Sequence, residues 1–102
     1  MKVVKPARIR EFIARHADAK VGLENWLSIT KKAQWTKFIE VKKTFPSVDQ
    51  VRLPNKKCVL VFNIAGNAFR LICAAHYNTG YLFVLRLLTH KEYSKNFWKR
   101  EL

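Results

Sequence analysis

The sequence predicts an α+β domain, with helices packed on a twisted antiparallel sheet and a short helix at the C-terminal end. Three observations lead there. Apolar residues recur at helical spacing as far as Phe45. From Lys57 the period changes to two. A helix-start signal, Thr89-His90-Lys91-Glu92, follows the last alternating run.

Met1 to Val4 is a short β-prone segment, and Pro6 suits the first turn of a helix because its missing N–H costs nothing there. Ile9, Phe12, Ile13 and His16 form that helix's apolar stripe. Asp18 is the expected N-cap of a second helix, whose stripe is Leu23, Trp26, Leu27 and Thr30. Gly22 weakens its first turns by about 1 kcal/mol. The two helices read as an antiparallel hairpin covering a sheet. Lys31 and Lys32 suit the end of the second helix, where positive charge complements the dipole. Thr36 is the expected cap of a third helix with Phe38, Val41 and Phe45 facing in, and Pro46 stops it. Val48 to Leu53 reads as a strand and Pro54-Asn55 as a turn. Strands are then expected at about 57–64, 67–76 and 81–88, joined by a two-residue turn at Ala65-Gly66 and a loop from Tyr77 to Gly80. After the Thr89–Glu92 capping box a final helix runs through Trp98.

No repeat, low-complexity run or composition shift divides the 102 residues, so a single domain, 1–102, is expected. Lys and Arg number 20 against seven Asp and Glu, a formal net charge of +13, which calls for an anionic partner. Nucleic acid leads, ahead of an acidic protein and a membrane surface. No apolar run approaches a membrane span, and no secretory leader is evident, so a cytoplasmic protein is expected. Cys58 and Cys73 are too few for a disulfide scaffold and read as two reduced, buried thiols. A turn centred on Ala65-Gly66 sets them face to face, which leaves a cross-hairpin disulfide as the alternative. His16, His76 and His90 are scattered without metal-ligand spacing, and no Gly-rich phosphate loop is present, so neither metal nor cofactor is expected.

The chemistry is expected on the sheet. Arg70 lies between Phe69 and Leu71-Ile72, and a guanidinium is costly to bury without a partner. One face of the sheet should therefore be packed and the other open to an anion. Alternation puts Arg70, Ile72 and Ala74 on one face. The two-residue turn sets Val61 opposite Arg70 and Lys57 opposite Ala74, so Lys57 shares the face of Arg70. Leu82, Val84 and Arg86 also share a face. An even register through the Tyr77–Gly80 loop makes it Arg70's face, and an odd one sends Arg86 to the other side. In the even register Lys57, Arg70, Arg86, His90 and Tyr93 converge. Such a set suits metal-independent RNA cleavage. Arginines and a lysine stabilise charge developing on a phosphate, and an imidazole, lysine or phenol moves protons.

Plainer readings stand beside this one. Arg70 or Arg86 could pair with Glu40 or Glu92. His90 could be an ordinary helix-start residue, Tyr93 a core residue, and Lys57 a solvated edge lysine. His16, His76 and Trp26 read as structural. Lys91, Lys95 and Lys99 recur every four residues with Arg100 beside them, one basic stripe expected to track an RNA backbone together with Lys56. Lys31, Lys32, Lys37, Lys42 and Lys43 form a second basic area.

Two blocks, Val61-Phe62-Asn63-Ile64-x-Gly66-Asn67-x-x-Arg70-Leu71-Ile72 and Thr89-His90-Lys91-Glu92-Tyr93, resemble the HigB family of bacterial toxins, relatives of the RelE-like endoribonucleases. Glu11-Phe12, Trp26, Ala33-x-Trp35 and Phe45-Pro46-Ser47-x-Asp49 extend the resemblance over nearly the whole chain. It implies a RelE-like fold and cleavage of mRNA in the ribosomal A site. It also implies neutralisation by a HigA-type helix-turn-helix antitoxin, through which alone operator DNA would be bound. On the family pattern Arg70, Arg86, His90 and Tyr93 carry the reaction, with Lys57 beside them. The rival expectation is a non-catalytic basic RNA- or ribosome-binding module.

Overall fold

The computed structural model describes residues 1–102. Its strands are β1 Lys2–Val4, β2 Asp49–Arg52, β3 Cys58–Ile64, β4 Phe69–His76 and β5 Tyr81–Thr89. They form one sheet in the order β1-β5-β4-β3-β2. The alternating runs build β2 to β5 as an antiparallel meander. β1 joins the outer edge of β5 in parallel, with Val3 beside Leu82, so the complete sheet is mixed.

Helices α1 Ala7–Arg15, α2 Lys20–Lys32 and α3 Phe38–Thr44 cover one face. Their apolar stripes supply Ile9, Phe12, Leu23, Trp26 and Val41 to a core shared with Leu60, Phe62, Leu71, Cys73, Leu82 and Val84. Aromatic rings interlock edge-on within it, Trp26 on Phe62 at 5.4 Å and Phe45 on Phe62 at 5.3 Å. Gly22 has a packing reason that propensity hides. A Cβ there would stand 2.9 Å from both Ala65 N and Ile64 Cγ2, so the glycine lets α2 lie against the end of β3.

The second face is not open. Leu53, Val59, Val61, Ile72 and Trp98 form a smaller apolar cluster on it, joined by Tyr93 and Leu102. Trp98 arrives from α5 Trp98–Glu101, which follows α4 His90–Ser94. The C-terminal segment therefore roofs part of the face that sequence alone leaves bare.

Local start and stop signals fared unevenly. The capping box is present, with Glu92 N–H donating to Thr89 Oγ1 at 3.1 Å and Thr89 N–H to Glu92 Oε1 at 2.9 Å. Asp18 does not cap α2, because it lies inside a 3₁₀ turn, Ala17–Ala19, that runs straight into the helix. Thr36 does not cap α3 with its own oxygen. Lys37 holds the N-cap position, and Glu40 reaches back to accept from the N–H and hydroxyl of Thr36 at 2.6 Å each. The final helix is broken in two. Asn96 adopts a left-handed φ of 63°, a conformation asparagine tolerates, and Trp98 Nε1 turns back to donate to the Tyr93 carbonyl at 3.1 Å.

The β3–β4 connection also differs from a two-residue turn. Ile64 pairs with Phe69, and residues 65–68 form the loop, closed by Ala68 N–H donating to Ala65 O. A two-residue turn would place Asn67 in the strand on the buried face, at the cost of burying an amide. The longer loop leaves Asn67 exposed. Arg70 accordingly faces Asn63, not Val61, and Val61 faces Ile72. The slip is two residues, so every side chain keeps its face. It separates the cysteines: Cys73 lies beside Leu60, Cys58 is exposed rather than buried, and both thiols are free. No helix is long and apolar enough to cross a membrane.

Candidate active site

The positions of Arg70 and Arg86 are decided by one irregularity. β4 and β5 pair Ile72 with Arg86 and then Cys73 with Val84, leaving Leu85 as an extra residue. Leu82, Val84 and Leu87 all point into the main core. Unbroken alternation would carry Arg86 in with Leu82 and Val84, as the sequence reading grouped them. The bulge instead turns Arg86 outward and Leu87 inward, which avoids burying an unpaired guanidinium. Arg86 thus reaches Arg70's face through a bulge in β5 and not through an even loop register.

Two rows of side chains cross this face. Asp49, Val61, Ile72 and Arg86 make one, and Asn63, Arg70 and Leu88 the next. Arg70 and Arg86 are diagonal neighbours on adjacent strands, with backbones roughly 7–8 Å apart. Both are half-buried. Arg70 Nη1 donates to the carbonyls of Asn67 at 3.0 Å and Phe69 at 3.2 Å, and Arg86 Nη1 to Leu85 O at 3.0 Å. Neither guanidinium bonds to Glu40 or Glu92, whose carboxylates are engaged in helix starts. A guanidinium carries five N–H donors, so each arginine is anchored at one nitrogen and keeps others for an anion.

The α4 segment brings the remaining groups. The Arg70 guanidinium lies 5.7 Å from the centre of the Tyr93 ring. Tyr93 also stacks on Trp98, with ring centres 5.2 Å apart. Burial pushes the Tyr93 phenol above its usual range, Asp49 adds to the shift, and Arg70 opposes it. The phenol therefore stays protonated at neutral pH. His90 is exposed at the first position of α4, and its main-chain N–H donates to Ala68 O at 3.1 Å. The Ser94 hydroxyl donates to the His90 carbonyl at 2.8 Å and lies 3.4 Å from His90 Nδ1. That oxygen can accept from Nδ1–H, which leaves Nε2 the ring nitrogen free to move a proton.

Lys57 does not join this group. It precedes β3, six positions from Asn63, the partner of Arg70, which is about 20 Å along a strand. It lines an apolar cleft of about 420 Å³ with Leu53, Ala74, His76 and Leu102. Lys56 is exposed in the same turn. Lys91, Lys95, Lys99 and Arg100 do not form one helical stripe, because the chain turns at Asn96 between Lys95 and Lys99. The segment nonetheless runs the length of the face, from Arg70 to Asn55, whose Nδ2 donates to Leu102 O at 3.1 Å.

A family model described as HigB_toxin, the RelE-like toxic component of a toxin–antitoxin system, matches residues 19–96. The chain belongs to the HigB toxin family. Among similar relatives, the mRNA interferase HigB of Escherichia coli O6:H1 (strain CFT073) is 24% identical over 95 residues, 93% of this chain and 90% of that protein. The mRNA interferase toxin HigB of Escherichia coli K12 is 29% identical over 79 residues, 78% of this chain and 71% of the relative. A Shigella flexneri mRNA interferase HigB matches to the same extent. The family match contains both sheet arginines, His90 and Tyr93.

Three residues in contact with this candidate site were not legible as site residues in the sequence. Asn63 stands beside Arg70, and its Nδ2 donates to Asn67 Oδ1 at 3.3 Å. A polar residue inside an apolar strand is the signal that singled out Arg70, and it applies equally to Asn63. Asn67 supplies one of the two carbonyls that hold Arg70. Trp98 backs the Tyr93 ring, a role visible only once the break at Asn96 is known.

Proposed function

We propose that this chain is an endoribonuclease toxin that cleaves mRNA on the ribosome, arrests translation and is neutralised by a HigA-type antitoxin. Family membership and the names of the relatives support an mRNA interferase. The observation that carries the chemical reading is the convergence of Arg70 and Arg86 on one sheet face, with Arg70 against Tyr93 and His90 exposed on the same short helix.

In this reading Arg70 and Arg86 hold the scissile phosphate in line and stabilise the charge that develops on its oxygens. The 2′-hydroxyl of the RNA attacks that phosphate. His90 takes the 2′-proton while the protonated Tyr93 phenol delivers one to the departing 5′-oxygen, or His90 protonates that oxygen while water takes the 2′-proton. The Tyr93 phenol donates a hydrogen bond to the phosphate and orients it. The products are a 2′,3′-cyclic phosphate and a 5′-hydroxyl, and the reaction needs no metal. Lys57 lies too far along the sheet to act on the same phosphate and is assigned to the passing RNA backbone with Lys56, Lys91, Lys95, Lys99 and Arg100. The work is done in the cytoplasm, and operator DNA is reached only through the antitoxin.

Primer extension on translated mRNA tests this, comparing the native chain with Arg70→Ala and His90→Ala. New transcript ends should appear with the native chain and be lost or strongly reduced with both variants. Unchanged cleavage by both variants removes the proposed site. Ribosome binding without new ends is the outcome expected of a non-catalytic module.

A further inference from the structure

Arg8 is the one side chain from outside β5 bonded to the bulge, where Arg86 of the strand itself also donates to Leu85 O at 3.0 Å. Pairing between β1 and β5 ends at Val4 and Phe83. The chain then turns at Lys5, with a left-handed φ of 59°, and enters α1 behind Pro6. Arg8, in the first turn of α1, is half-buried beside β5 where β1 would have continued. Its Nη1 donates to Val84 O at 3.1 Å and to Leu85 O at 3.3 Å. These consecutive carbonyls belong to the bulge, where the regular ladder cannot serve both. Two carbonyl dipoles aimed at one place repel each other, and a guanidinium between them turns that repulsion into two charge-assisted bonds.

We propose that Arg8 is a positioning residue for the reaction: it holds the Leu85 bulge and thereby keeps Arg86 on the face of Arg70. The inference rests on the reading of Arg86 as a phosphate-binding group. Arg8 acts through the main chain of β5, by way of the two Nη1 bonds to Val84 O and Leu85 O. Without it the strand can relax toward unbroken alternation, which draws Arg86 toward the interior and Leu87 outward.

The test is a double-mutant cycle on ribosomes carrying translated mRNA, using Arg86→Ala, Arg8→Met, Arg8→Lys and the Arg8→Met/Arg86→Ala pair. Arg8→Met should lose roughly 10- to 100-fold in kcat, the scale of a misplaced catalytic group, with KM moved less than about twofold. Arg8→Lys should recover part of the loss. The pair should cleave no more slowly than Arg86→Ala alone, because Arg8 has nothing left to position. Losses that multiply in the pair, or an Arg8→Met variant as active as the parent beside a crippled Arg86→Ala, overturn this inference alone. Full activity in Arg86→Ala removes the reading of Arg86 itself, and this inference with it. Should Arg8→Met lose its cooperative unfolding transition, the same cycle run with Arg8→Lys decides.

Discussion

Replacing Trp98 with alanine should cost stability and chemistry together. Trp98 is 3% exposed and packs with Leu53, Val59, Val61 and Ile72. A buried indole removes roughly 200 Å² from water. At about 25 cal/mol per Å² that is about 5 kcal/mol, an upper bound because unfolded chains already bury some surface. The lost bond from Nε1 to Tyr93 O adds about 1 kcal/mol, while local collapse of α5 returns part of the total. A net loss of about 3–5 kcal/mol follows, the range seen for large aromatic truncations. In a domain of this size it should lower the thermal midpoint by roughly 15 °C or more. Trp98→Phe keeps a ring behind Tyr93 but loses the N–H, so it should cost only about 1–2 kcal/mol. Differential scanning calorimetry reads the midpoints, and mRNA cleavage below the transition reads the site. Cleavage should fall in Trp98→Ala even where the protein remains folded, because Tyr93 loses its backing. A Trp98→Ala midpoint within about 3 °C of the parent would refute the reasoning, since the second cluster would then add nothing to cooperative folding.

Other outcomes follow from single contacts. Gly22→Ala should destabilise by about 1–2 kcal/mol in urea titration despite its better helix propensity, because the new Cβ meets Ala65 N and Ile64 Cγ2 at 2.9 Å; a gain would show that α2 simply shifts away. The hydrogen bond from Thr89 N–H, aided by the Thr89 hydroxyl, holds the Glu92 carboxyl below its usual range. A depressed carboxyl stabilises the fold above its unfolded pKa and loses that contribution as pH falls through the folded value. Below about pH 4 the parent midpoint should therefore drop more steeply than that of Glu92→Gln, and parallel curves would contradict the assignment. Burial pushes the Cys73 thiol well up, while Cys58 is exposed. A thiol reagent should label Cys58 quickly in the native protein and Cys73 only after denaturant is added; rapid labelling of both would show that the core opens readily.

What sequence could and could not reveal follows the range of the interactions. The Thr89–Glu92 box was legible because its bonds close within four residues. The helical stripes of Ile9-Phe12 and Leu23-Trp26 were legible because one helix face defines them. Period two identified β3, β4 and β5, and the face of Arg70 survived a two-residue error in hairpin register because parity did. Arg86 is the opposite case. Its side depends on one inserted residue, Leu85, and on how Leu82, Val84 and Leu87 share the core across two strands. No local pattern contains that information. Lys57 was placed on the correct face but at the wrong end of it, since alternation reports sides and not distances. The pairing of β1 with β5 and the docking of Trp98 join residues far apart in sequence, and neither leaves a mark in the local pattern.

The two apolar clusters share no residue. The helices α1 to α3 and one side of the sheet make a self-contained platform, while Tyr93 and Trp98 belong to a separately seated appendage. Drift at His90, which is exposed and outside both clusters, or at the Tyr93 hydroxyl can retune or silence the nuclease while Trp98 keeps its seat and the scaffold its stability. A lineage could thus keep a folded, basic, partner-binding body long after its toxicity has decayed.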